Sequence, residues 1–194
     1  MKYMIMDLIK TLYSSLPLGL IIAVFITFSS ILVKEKNIKS SAKLFYRSLK
    51  QSREFRFQIY FFTYLYILLY RAVFGRESIY EPLSKVLGGW KMYIRGYTGL
   101  NYEDAFGNIL VFIPYSFLIL FAFGSKFKSK ADMIIKSTLF TFLLSLFIEI
   151  NQLIFSKGTF QISDLVLNTA AGLIGALIFI LINIITDKIN SRTN

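Results

Sequence analysis

Apolar residues dominate residues 16–33, 57–74, 107–123, 133–155 and 165–186, and each run approaches or exceeds the roughly 18 residues expected of a helix that crosses a bilayer. The pattern predicts an all-α protein, a polytopic membrane helical bundle with about five transmembrane helices. The fourth run is the most informative, because Glu149 and Gln152 stand near its end among almost nothing but apolar residues. Three apart, they share one helical face, which extends backward through Ser145, Thr141 and Thr138. A charged residue at mid-membrane costs about 2.5–3.5 kcal/mol on insertion scales, so a carboxylate at the end of such a stripe marks a site by default.

Composition narrows the picture. With 194 residues, 55% of them hydrophobic, and no Gly/Ser-rich linker, internal repeat or low-complexity tract, residues 1–194 read as a single integral membrane domain. The chain has no cysteine and no histidine. Disulfides, thiol catalysis, thiolate metal sites and the usual general base are thereby excluded, and neither a cofactor nor a metal is expected.

A net charge of +11 by itself suggests nucleic acid, but its distribution points to membrane orientation. Lys34, Lys36, Lys39, Lys43, Arg47, Lys50, Arg53 and Arg56 crowd the connection after the first run against Glu35 and Glu54, so this connection is expected in the cytoplasm. Lys126, Lys128, Lys130 and Lys136 mark a second cytoplasmic connection. Alternation then places the amino terminus outside, the carboxyl terminus inside, and residues 75–106 and 156–164 away from the cytoplasm. The basic connection also suits anionic headgroups, so membrane lipids rather than nucleic acid are the expected partners. No small-residue cleavage pattern follows the first run, which reads as a retained anchor. Trp90, Tyr93 and Tyr97 suggest an interfacial segment within 75–106.

This orientation gathers Asp104 and Asn108, Glu149 and Gln152, and Asp164 and Asn168 at one outer face, with Arg71 one turn inside as a candidate counter-charge. Asp164 and Asn168 share a face with Ala171, Gly172 and Gly175, small residues that let another helix approach closely; the stripe of the fourth helix is the expected partner. Structural roles compete with this view. Asp164 would serve as a helix cap, Asn168 and Gln152 as interhelical hydrogen-bonding groups, Pro114 as a kink, and Tyr60, Tyr64, Tyr66 and Tyr70 as packing and interface residues.

Three segments carry a family resemblance: Asn108-Ile-Leu-Val-Phe-Ile-Pro114, Ile148-Glu149-Ile-Asn-Gln152, and Ser163-Asp164-Leu-Val-Leu-Asn168-Thr-Ala-Ala-Gly172. In that order they resemble the VanZ-like family of small bacterial membrane proteins, over about residues 107–182. The founding members of that family are associated with low-level resistance to the glycopeptide teicoplanin. Two departures stand out. Gln161 and Ser163 occupy positions that are usually acidic in the family, and Tyr115-Ser116 follows the proline where a small residue is usual.

The resemblance implies an envelope protein contributing to glycopeptide resistance. Its outer cluster of Glu149, Gln152, Asp164, Asn168 and Asn108 would bind a polar or cationic group of a lipid headgroup, cell-wall precursor or glycopeptide. An alternative from the enzyme class treats Glu149 and Asp164 as paired carboxylates performing acid–base chemistry on a lipid-linked or cell-wall precursor. A transporter would call for inverted repeats or discontinuous helices, and Pro114 offers the one break.

Overall fold

The computed structural model describes the backbone of residues 2–74, 78, 80–84, 86–87 and 102–193, and side chains over 10–73, 78, 80–84, 86–87 and 109–191. Trp90, Tyr93 and Tyr97 and the side chains of Asp104 and Asn108 lie outside the described residues. The described chain is all-α: α1 (Lys2–Glu35), α2 (Ile38–Gln51), α3 (Arg53–Leu69) running into a π-helical turn (Tyr70–Phe74), α4 (Tyr102–Phe123), α5 (Lys130–Ile154) and α6 (Ile162–Thr193). Four of these are long and apolar enough to cross a membrane, namely Lys10–Glu35, Ile109–Lys126, Lys130–Ile154 and Ile162–Ser191, which is the pattern of a multi-pass membrane protein. The remaining predicted run, 57–74, coincides with α3 and its π turn. The helix α3 itself is only 17 residues long and opens with Arg53, Glu54 and Arg56.

The chain divides into two compact units, Met1–Arg76 with Phe121–Phe123, and Glu77–Leu120 with Gly124–Asn194. In the first, α1 and α3 pack antiparallel. They come close together at Gly19, where a Cβ would stand 3.1 Å from Tyr66 Cδ1 and 3.3 Å from the Thr63 carbonyl oxygen. Ala23, Ile31, Phe55 and Ile59 form the core between them, with Leu44, Phe45 and Phe62 packed against it. Phe57 stacks on Phe121 at 4.5 Å, the Arg53 guanidinium lies over both rings, and Gln58 Nε2 donates to the Ala122 carbonyl at 3.1 Å.

The charge pattern of 34–56 predicts a connection, yet most of it is the helix α2. Lys36 takes a left-handed conformation (φ 56°) that ends α1, and Asn37 then caps α2, its Oδ1 accepting from the amides of Lys39 (2.9 Å) and Ser40 (3.3 Å). Ser52 closes α2 through its amide and opens α3 through its hydroxyl, which accepts from Phe55 N at 3.1 Å.

In the second unit, α4, α5 and α6 pack through small residues. A Cβ on Gly175 would meet the Ile113 carbonyl oxygen at 2.8 Å and Ser116 Cβ at 2.9 Å, and one on Gly172 would meet Thr141 Cβ at 2.6 Å. Ser116 Oγ donates to the Gly172 carbonyl at 2.8 Å, and Phe117 meets Phe179 edge-on. The sequence grouped Gly172 and Gly175 on one contact face. They serve two neighbours instead, α5 at Gly172 and α4 at Gly175, because three residues of helical rotation, at 3.6 residues per turn, leave their directions about 60° apart, enough to face different helices.

Candidate functional site

The α5–α6 pair carries the polar residues singled out from the sequence, and its register places them. Thr141 packs on Gly172, and Asn168 Nδ2 donates to Ser145 Oγ at 2.9 Å. Both pairs fit one antiparallel register in steps of four residues. One further step sets Glu149 opposite Asp164. Small hydroxyl residues make so close a seam workable, because Thr141 and Ser137 satisfy their own hydroxyls on the carbonyls of Ser137 (2.8 Å) and Ile134 (3.3 Å).

All four described candidates are withdrawn from solvent, with Gln152 0%, Glu149 1%, Asn168 3% and Asp164 5% exposed. Asn108 falls within α4, and its side chain is outside the described residues. Glu149 Oε2 accepts the backbone amide of Gln161 at 2.8 Å, immediately before α6 begins. A carboxylate there satisfies a donor that α6 itself leaves open and faces the positive end of its dipole, so Glu149 caps the neighbouring helix from across the seam. The sequence offers Asp164 for that role. Since α6 starts at Ile162, Asp164 belongs to the first turn, where its charge is still favourable.

The connection between the two helices is tightly built. Lys157 N donates to the Gln152 carbonyl at 2.9 Å and Ser156 N to the Leu153 carbonyl at 3.4 Å, with Ser156 left-handed (φ 51°), the bonding of a Schellman cap. Gln161 Nε2 donates to Thr159 Oγ1 at 2.8 Å. From the other side, the Pro82 and Val86 carbonyls accept from Phe160 N (2.8 Å) and Ile162 N (3.1 Å), so both residues lie against this turn. Gln161 and Thr159 thus join the site; the sequence marked Gln161 only as a departure from a usually acidic position, and it enters through its backbone amide, which carries no residue-type signal. Ser163 Oγ and Asn168 Oδ1 are buried with no hydrogen-bond partner among the described residues. The site is therefore rich in oxygen acceptors, a character suited to a cation or a hydrogen-bond-donating group.

Fold and site together describe a multi-spanning helical protein with a buried polar seam near one end of its last two long helices. The family described as VanZ/LLP1 matches residues 16–183, and the chain belongs to that family. It is similar to Protein VanZ of Enterococcus faecium, with 26% identity over 125 residues that cover 64% of this chain and 71% of that protein. No solved structure matches the chain.

Proposed function

We propose that this protein is a multi-pass membrane protein of the bacterial cell envelope that contributes to glycopeptide resistance, teicoplanin in particular, through an outward-facing polar site. Glu149, Gln152, Asp164 and Asn168 form that site with Asn108, and its ligand is a polar or cationic group of a lipid headgroup, cell-wall precursor or glycopeptide. The observation that carries the reading is the common burial of four polar side chains along one seam of two apolar helices, within the stretch that the family matches. Five crossings, with the amino terminus outside and the carboxyl terminus inside, follow from the lysine and arginine distribution. The antiparallel pairing of α3 with α1 supports the additional crossing, since it lays α3 along the apolar length of α1.

The test is expression in a susceptible Gram-positive host, with teicoplanin and vancomycin sensitivity measured for the wild type, Glu149→Gln and Asp164→Asn at matched protein levels. Reduced teicoplanin sensitivity that both substitutions abolish is the expected result. Full protection by both variants would reduce the carboxylates to structural groups. For orientation, cysteines placed singly at Ser40 and Ser84 are probed with an impermeant thiol reagent in intact cells; labelling at Ser84 alone is expected, and labelling at Ser40 alone inverts the site.

A second reading, acid–base chemistry on a lipid-linked precursor, draws on the register that sets Glu149 opposite Asp164. It draws also on a groove of about 340 Å³ along the same helix pair, lined by Thr138, Phe142, Leu165, Thr169 and Leu173 among others, whose walls suit a hydrocarbon chain. Conversion of an isolated lipid-linked precursor by the purified protein, lost in Glu149→Gln, would favour it over simple binding.

A further inference from the structure

The helix α2 divides into three sectors around its axis. Ser41, Leu44, Phe45 and Ser48 turn inward; Ser41 is fully buried, and the Phe45 ring meets Phe28 of α1 at 5.8 Å and Phe55 of α3 at 5.3 Å. On one flank Ile38, Leu49 and Tyr46 are exposed, at 70%, 38% and 59%. The third sector holds Lys39, Lys43, Arg47 and Lys50, spaced four, four and three apart, all exposed and with no acidic residue in the helix. Lys50 lies over the Tyr46 ring at 4.7 Å, and Arg47 Nε donates to Gln51 Oε1 at 2.9 Å, so these side chains are arranged along the surface.

The position of α2 gives this layout a meaning. Its first residue follows α1 by a two-residue break, its last precedes α3 by Ser52, and its middle touches both, so it sits at the end of the α1–α3 pair where α1 leaves its apolar length. Arg56, from the first turn of α3, donates to the carbonyls of Leu49 (3.2 Å) and Lys50 (3.0 Å) and fastens the far end of α2. A helix with one face on protein, an apolar exposed flank and an unbroken cationic stripe has the chemistry of a boundary between hydrocarbon and headgroups.

We propose that α2 is a membrane-surface helix that binds the phosphate groups of anionic lipids. Ile38, Leu49 and Tyr46 enter the acyl boundary, and Lys39, Lys43, Arg47 and Lys50 meet the headgroups. A solvated charged face would account for the cations, but it leaves the exposed isoleucine, leucine and tyrosine beside them without a medium. The proposal uses the multi-pass character of the chain and is independent of the polar seam, so resistance measurements and lipid-binding measurements fail separately.

Full-length protein in mixed micelles holding equal amounts of phosphatidylcholine and phosphatidylglycerol is examined by native mass spectrometry, and retained lipids are counted. The wild type is expected to prefer phosphatidylglycerol. Combined Lys39→Gln, Lys43→Gln, Arg47→Gln and Lys50→Gln should weaken that preference by roughly fivefold for each cation removed, whereas the three lysines changed to Arg should retain it. Lys128→Gln with Lys130→Gln, in the other unit, should also retain it. Elution as a monodisperse species confirms that each variant is folded. An unchanged preference in the fourfold variant overturns the assignment, as does an equal loss in the Lys128 and Lys130 variant. Duplex RNA bound by the wild type and lost in the fourfold variant, with lipid preference intact, would make the surface a nucleic-acid site and overturn it as well.

Discussion

Substituting Gly172 by alanine tests the close seam most directly. The added Cβ would stand 2.5 Å from Thr141 Oγ1, 2.6 Å from Thr141 Cβ and 2.7 Å from Thr141 Cγ2. No rotation of the threonine relieves the middle contact, because Cβ is fixed to the backbone of α5, so the two helices must separate. Overpacking of this kind costs about 1–3 kcal/mol. Three simultaneous overlaps put this case near the upper end, and separation also strains the Asn168–Ser145 and Ser116–Gly172 hydrogen bonds. Against this, alanine favours a helix over glycine by about 1 kcal/mol. The net expectation is a loss of roughly 1–2 kcal/mol, and a larger loss for Gly172→Leu. Reversible unfolding in mixed detergent micelles, followed by circular dichroism, measures it. Thr141→Ala leaves its Cβ in place and should rescue Gly172→Ala poorly, whereas Thr141→Gly removes every overlapping atom and should restore the spacing. Stability of Gly172→Ala equal to that of the wild type would refute the close contact.

Gly124→Ala is the counterpart, since a Cβ there meets nothing within 4 Å; it should be neutral or stabilising by about 0.4–1 kcal/mol in the same assay. Ser156→Gly should raise stability by roughly 0.5–1 kcal/mol, because the left-handed position of the Schellman cap favours glycine, and no change would deny that conformation. Asn37→Ala removes the cap of α2 and should cost about 1 kcal/mol, visible as faster amide exchange at Lys39 and Ser40. Leu173→Ala, at a position 38% exposed, should destabilise less than Gly172→Leu; the reverse order would turn the Gly172 face toward lipid.

The long apolar helices α1, α5 and α6 were legible because their length and composition together admit no other element of an ordinary domain. The seam was legible for a related reason: polar residues at four-residue intervals, such as Thr141, Ser145 and Glu149, stand out only against an apolar background. The helix α2 was hidden by the same criterion. Its charges made 34–56 resemble a solvated loop, although Asn37 as a cap and the spacing of Lys39, Lys43 and Arg47 carried the helical signal. What Glu149 touches was out of reach, since its partner is the backbone amide of Gln161 and every residue but proline offers one. The divergence of Gly172 and Gly175 toward different neighbours also escaped, because spacing fixes a direction on a helix and not which helix lies there.

The short Schellman-capped turn between α5 and α6 bears on how the protein is made. On an α5 standing alone in a bilayer, Ser137, Thr141, Ser145, Glu149 and Gln152 would present one polar edge to lipid. The covering surface, Gly172, Asn168 and the Gln161 amide, is supplied by the turn and the first turns of α6, and it meets α5 only in the antiparallel arrangement of the two helices. Entry as a preassembled hairpin hides both edges at once. The turn that shapes the seam thus makes α5 and α6 a single unit for membrane insertion, each helix covering the polar edge of the other.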